Sequence, residues 1–216
     1  GSKTHPLAFK KGQYKVIKLL GEGGFGRTFL VEDINTKKRL VIKQLLPDQT
    51  KVSKALELFE REAKILAKLN HPNIPKIYEF FEEGGNFHIV QEFIDGDTLE
   101  KILERKKQLK ENEAIELLKS VLEILKYLQS QEPPIVHRDI KPANIMIDKQ
   151  NKTYLIDFGA VKEALKLWQS PSGVKGSTVI STPGYAPPEQ EMGKISPASD
   201  LYALGATIIE SLTGEH

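Results

Sequence analysis

The run His137-Arg138-Asp139-Ile140-Lys141-Pro142-Ala143-Asn144 sets a carboxylate, an ammonium and an amide within one short loop. Each has a use in phosphoryl transfer. An aspartate can take the proton of an attacking hydroxyl, a lysine can neutralise charge on the transferring group, and an amide oxygen can ligate Mg²⁺. A polar turn before a strand would explain any one of these residues, but it explains the set poorly. Further on, Asp157-Phe158-Gly159 follows an apolar run ending at Ile156. A single carboxylate at a strand end suits Mg²⁺ when phosphate oxygens supply the remaining ligands.

A second group lies near the N-terminus. Gly21-Glu22-Gly23-Gly24-Phe25-Gly26 fits G-x-G-x-x-G, in which glycines let backbone N–H groups approach phosphate oxygens. A glycine-rich hairpin turn would produce the same string. A dinucleotide fingerprint is disfavoured because a strand, not a helix, follows the loop, and no Lys-Ser or Lys-Thr closes it as a Walker loop requires. Lys43 ends the apolar run Leu40-Val41-Ile42. On a helical wheel with Phe59 at 0°, Glu62 falls near about 300°, inside the arc of Leu66 at about 340°, whereas Glu57, Arg61, Lys64 and Lys68 gather between about 140° and 200°. A carboxylate on the buried side needs a cation, and Lys43 is the candidate.

The elements that must carry these groups follow from periodicity. Tyr14 to about Leu46 reads as three antiparallel strands, Ser53 to Asn70 as a helix stopped by Pro72, and Ile77 to Phe81 with Phe87 to Phe93 as two further strands around Gly84-Gly85-Asn86. Beyond Asp95-Gly96 the pattern turns helical. Thr98 and Asn112 are expected as N-caps, and the helix after Asn112 carries a broad apolar face ended by Pro133-Pro134. Ile145 to Ile147 and Tyr154 to Ile156 read as short strands. A long Ser, Gly and Pro-punctuated segment runs from Gly159 to about Pro188, and Ser196-Pro197 opens a last helix ending at Thr213-Gly214. The expected class is α+β, with a hinge near Asp95-Gly96.

Composition sets the bounds. The chain has 216 residues with Lys+Arg 31 against Asp+Glu 29, a net charge of +2, so bulk electrostatics select neither nucleic acid nor membrane. No cysteine is present, which excludes disulfides, thiolate metal sites and a cysteine nucleophile, and fits a cytoplasmic location. Residues 1–13 are expected to be a leader, with Gly1-Ser2 an expression remnant and Lys3 to Gly12 without fixed structure.

In this order, the motifs resemble those of eukaryotic-type (Hanks-type) serine/threonine protein kinases, particularly the bacterial branch. The resemblance runs from Tyr14 to the last residue. It implies a two-lobed fold: an N-lobe over 14–94, with an antiparallel sheet and one helix, and a mainly helical C-lobe over 95–216. It implies Mg²⁺ and ATP, protein substrates with Ser or Thr acceptors, and self-association for autophosphorylation. Leu20 and the loop of Gly21, Glu22, Gly23, Gly24, Phe25 and Gly26 would cover the nucleotide. Lys43 would hold the α/β-phosphates while paired to Glu62. Asp139 would be the base, Lys141 would contact the γ-phosphate, and Asn144 and Asp157 would hold the metal. Gln91 takes the gatekeeper position, the backbones of Glu92 and Ile94 would bond the adenine, and Thr28, Val41 and Met146 would line its pocket. Val41 and Thr28 depart from the usual alanine and valine, and nucleotide affinity is expected to shift accordingly.

By the same resemblance, Arg138 would pair with a phosphate on the segment from Asp157 to Pro187-Pro188-Glu189, with Thr178 or its competitor Ser177 the phosphosite and Thr182 ordering the catalytic base. Asp200 would anchor the catalytic-loop backbone, and Ile77, Leu66, Phe158 and His137 would form an apolar column joining the lobes. Similar kinases continue for several helices past the equivalent of Gly214-Glu215-His216, so the C-lobe is expected to be truncated after its central helix. Two other readings stay open: a nucleotide-binding, catalytically weak scaffold or truncated kinase domain needing a partner, and a small-molecule phosphotransferase. Asp157-Phe158-Gly159 and the activation segment argue against the latter.

Overall fold

A computed structural model describes residues 5–23, 26–45, 60–61, 63–158 and 196–215. A six-stranded sheet in the order β1-β2-β3-β4-β6-β5 forms one lobe, every pairing antiparallel. Its strands are β1 (Ala8–Phe9), β2 (Tyr14–Gly23), β3 (Gly26–Asp33), β4 (Arg39–Leu45), β5 (Ile77–Glu83) and β6 (Asn86–Glu92). Helix α1 is described at 60–61 and 63–67. The other lobe holds α2 (Leu99–Lys106), α3 (Glu111–Gln129), α4 (Pro197–Thr213) and a small sheet of β7 (Gly96–Thr98), β8 (Ile145–Asp148) and β9 (Thr153–Leu155). The architecture is α+β, as the periodicity predicts.

Side chains alternate across a strand, so each face of the large sheet has its own task. Phe29, Val31, Leu40, Ile42 and Val90 form an apolar cluster on one face, with Phe9 and Tyr14 laid over them. Lys43, Thr28 and Gln91 fall at alternate positions and line the cavity on the other face. The second core gathers Leu117, Val121, Ile124 and Leu128 of α3 with Leu99, Ile140, Leu155 and Leu204. The broad apolar face of α3 read from the sequence is the centre of this core.

Two expectations change. The leader is in part structural: Ala8 and Phe9 pair with Lys15 and Tyr14, and Phe9 is 2% exposed. A strand of two residues is too short to register as alternation, and one aromatic ring on a bare sheet face suffices to dock it. Asn112 is not an N-cap either. Helix α3 begins at Glu111, and the Glu113 carboxylate accepts from the Lys110 N–H at 3.0 Å, satisfying the helix start from within its own first turn. Thr98 does cap α2, its hydroxyl accepting from the Lys101 N–H at 3.2 Å. Gly96 opens β7, where a Cβ would meet the Ile147 carbonyl oxygen at 2.1 Å, so only glycine lets the strand after the hinge lie against β8.

Candidate active site

The catalytic-type loop is fixed from beneath by a buried carboxylate. Asp200, 4% exposed in the first turn of α4, accepts from the backbone N–H of His137 at 2.7 Å and of Arg138 at 3.0 Å. Burial raises its pKa to about 6, against the pull of those two N–H groups and of the Arg138 charge. The His137 ring bonds the Ile156 carbonyl at 2.7 Å and accepts from the Asp139 N–H at 3.1 Å. Four polar links therefore hold the loop before any side chain reaches the cleft. Arg138 and Asp157 both adopt positive φ, at 75° and 52°, conformations tolerated only where the surroundings dictate them.

On that frame the structure brings Asp139, Lys141 and Asn144 together. Asp139 is 7% exposed. Asn144 Nδ2 donates to the Asp139 carbonyl at 2.7 Å and to its carboxylate at 2.8 Å, and Lys141 Nζ lies 3.9 Å from the same carboxylate. Asn144 sits in the single turn Pro142–Asn144 that leads into β8, and its carbonyl accepts from the Ile156 N–H at 2.9 Å. Asp157 follows Ile156 directly, so one backbone bond ties both expected metal ligands to neighbouring positions. With Nδ2 committed to Asp139, the amide oxygen is the ligand-type atom of Asn144. Among the described residues no group of three or more His, Asp or Glu side chains is arranged to hold a metal ion by itself. The donor set fits an ion that relies on phosphate oxygens for most of its shell, which is the habit of Mg²⁺.

Across the cleft, Lys43 forms an ion pair with Asp157, joining β4 to the segment after β9. The predicted partner, Glu62, lies outside the described residues, as do Gly24 and Phe25 of the loop and Ser177, Thr178 and Thr182 of the activation segment. A cavity of about 350 Å³ opens between the lobes. Gly21, Glu22, Gly26, Thr28, Lys43, Gln91 and Asp157 all line it. Leu20, Val41, Glu92, Ile94 and Met146 do not; the space runs behind Gln91, against Leu66, Leu69, Ile74, Ile77 and Phe158. Val41 is buried between Leu30 and Gln91, and the Glu92 N–H is taken by the Lys76 carbonyl at 2.8 Å. The apolar column is present: Leu66 and Phe158 share the core with Ile77 packed on it, and the His137 and Phe158 rings stand 4.5 Å apart.

A family model described as "Protein kinase domain" matches residues 14–216. The chain belongs to the protein kinase family. Curated relatives of this kinase domain include the serine/threonine-protein kinase PknA of Nostoc sp., 42% identical over 94% of the chain and 37% of that protein. Serine/threonine-protein kinase F of Synechocystis sp. is 41% identical over 94% and 44%, and PrkC of Bacillus subtilis 34% over 94% and 31%. The chain spans less than half the length of these relatives. A solved structure titled "PpkA-294 apo form" superposes with a TM-score of 0.82 at 24% identity, covering 99% of this chain and 80% of that one, and shares its fold. Membership of a protein kinase family implies use of ATP. No described helix of the kinase domain is long and apolar enough to cross a membrane.

Sequence reasoning named Asp139, Lys141, Asn144, Lys43 and Asp157 as candidates without seeing the link between the last two. Nothing in local spacing announces a pair separated by 114 positions.

Proposed function

We propose that the chain is the catalytic domain of a serine/threonine protein kinase, transferring the γ-phosphoryl of Mg·ATP to Ser or Thr hydroxyls of proteins, its own activation segment included. The observation that carries this reading is the Asp139 carboxylate, buried, oriented by Asn144 and approached by Lys141 on a loop anchored by Asp200. Such a carboxylate is placed to take one proton.

The substrate hydroxyl donates its proton to Asp139 as its oxygen bonds to the γ-phosphorus, the bond to the β-bridging oxygen breaks, and ADP leaves with that electron pair. Lys141 spreads the charge of the moving phosphoryl. Asn144 and Asp157 would hold Mg²⁺, which supplies charge neutralisation at the phosphate oxygens. Lys43, now on Asp157, would serve the α/β-phosphates, with Glu62 as its partner from α1. Gly21 and Gly26 present backbone to the phosphates from the β2–β3 hairpin. Thr178, Ser177, Thr182 and Arg138 would carry regulation by phosphorylation, and a cytoplasmic location fits this chemistry.

Incubating the chain with γ-labelled ATP and a generic protein acceptor tests the reading. Label on serine and threonine that disappears in Asp139→Asn supports it. Equal label in both proteins, or nucleotide binding with no transfer, rejects it, the second outcome favouring a scaffold.

A further inference from the structure

Residues 5–13 precede the span matched by the family model, which starts at 14, yet they are fastened to the sheet at several points. The Phe9 ring packs edge-on against Phe29 at 5.2 Å and lies 5.1 Å from the His88 ring. Lys10 Nζ donates to both oxygens of Glu79 at 2.9 and 2.8 Å, and the Tyr14 hydroxyl donates to the same carboxylate at 2.9 Å. Burial and that carboxylate push the Tyr14 phenol well above its ordinary range. Lys11 adds a backbone N–H to Glu83 at 3.3 Å. The segment is a strap across the sheet face opposite the cavity.

Under the strap lies a short relay. His88 is 1% exposed, with the Phe81 ring stacked on it at 4.6 Å and Phe9 on another side. Gln44 Nε2 reaches His88 Nε2 at 3.3 Å. Gln44 follows Lys43 on β4, so its side chain faces the strap while Lys43 faces the cleft. Its backbone has a second duty. A Cβ placed on Gly26 would come within 1.9 Å of the Gln44 carbonyl oxygen, so the glycine hairpin closes directly onto this residue.

We propose that Phe9 and His88 are positioning residues for the nucleotide site, fixing Gln44 from the far face of the sheet and, through its backbone, the placing of Gly26 and Lys43. The proposal rests on the nucleotide-binding reading above. Its physical basis is that β4 is one strand with two faces: a ring lost from one leaves the other free to shift.

The whole chain is compared as wild type, Phe9→Ala and Phe9→Leu, reading Mg·ADP affinity by calorimetry and amide hydrogen exchange by residue. Phe9→Ala is expected to weaken Mg·ADP by about fivefold to tenfold and to speed exchange at residues 26–28 and 43–45. Phe9→Leu should restore most of both, and α3 should be unchanged. Faster exchange confined to residues 5–16, with affinity within about twofold of wild type, overturns the proposal. If wild type itself binds no Mg·ADP, the functional reading fails, and exchange at 26–28 and 43–45 alone decides the strap: unchanged protection there overturns it. Should Phe9→Ala not fold, Glu79→Gln breaks the clamp while keeping every ring, and the same two outcomes apply.

Discussion

The two walls of the cleft are built on different principles. On the α-rich side, Asp139 stands on a loop held by polar bonds, to residues farther along the chain from His137 and Arg138 to Asp200 and from His137 to Ile156, and within itself from Asn144 to Asp139. On the sheet side, Lys43 and Gly26 are placed by strand register with rings packed on the reverse face, and among the described residues Lys43 reaches across the cleft to Asp157. Groups that move protons need fixed distances, and buried networks supply them. Groups that must admit and release a nucleotide need a wall that can yield.

The largest effect that would sharpen this contrast is at Asp139, the proposed base. Asp139→Asn keeps the shape and the Asn144 contact to its carbonyl but removes the proton acceptor, so kcat should fall by about 10²–10⁴-fold with Kd for nucleotide little changed. If turnover survives, the polar wall is scaffolding only. Lys43→Met comes next and should act on both terms, lowering turnover by about 10²-fold and weakening nucleotide; steady-state kinetics with a direct binding titration separates the two. An unaltered nucleotide Kd in that variant would assign Lys43 wholly to Asp157.

Gly26→Ala probes the yielding wall, since the added methyl meets backbone oxygen at 1.9 Å and φ is +150°. We expect nucleotide to bind about tenfold more weakly, about 1.4 kcal/mol, with the catalytic loop's amide protection intact. Asp200→Asn probes the other wall. Its amide accepts through one oxygen only, leaving one buried N–H of the loop unmatched at a cost of about 1–3 kcal/mol, read as a drop in denaturation midpoint.

The smallest effects oppose each other in pH. Asp200 has its pKa raised to about 6 by burial, from an ordinary 3.8. The folded state therefore takes up this proton before the unfolded chain does. As pH falls through about 6 the group adds to stability while the loop loses its ionised acceptor. His88 is the reverse: burial between Phe9 and Phe81 lowers its pKa from an ordinary 6.5, against the Glu83 charge, with Glu79, Lys10 and Lys11 on the strap side and neutral Gln44 beside it. Its contribution is complete above about pH 6.5 and is lost as pH falls through the lower folded value. Unfolding titrations between about pH 5 and 8 should thus show opposite slope changes in Asp200→Asn and His88→Gln, and parallel slopes would dissolve the contrast.

What could be read from the sequence follows the same division. The grouping of Asp139, Lys141 and Asn144 was legible because it is contiguous: the three lie close together in sequence and meet in space. Thr98, Ser196-Pro197 and Gly214 announced their helix ends by local chemistry. The strap was missed because two paired residues and one ring carry no period, and the Lys43 pairing because the wheel argument searched only the neighbouring helix. The Asn112 cap failed for a simpler reason. Glu113 reaches back to Lys110, and a first-turn carboxylate can do the work of a cap two residues earlier than the amide predicts.

One small contact sets a limit on the whole. Asn73, in the turn after α1, donates from Nδ2 to the Thr153 carbonyl at 2.8 Å and accepts from the Leu155 N–H at 3.0 Å, while the Asn70 N–H donates to the Tyr127 hydroxyl at 2.8 Å. The sheet lobe is thereby pinned to the helical lobe at a second place, away from the crossing at Asp95-Gly96. Two fixed points define a line. A swing of the lobes about that line would keep the Asn73 and Asn70 bonds and would be resisted by the Lys43–Asp157 pair.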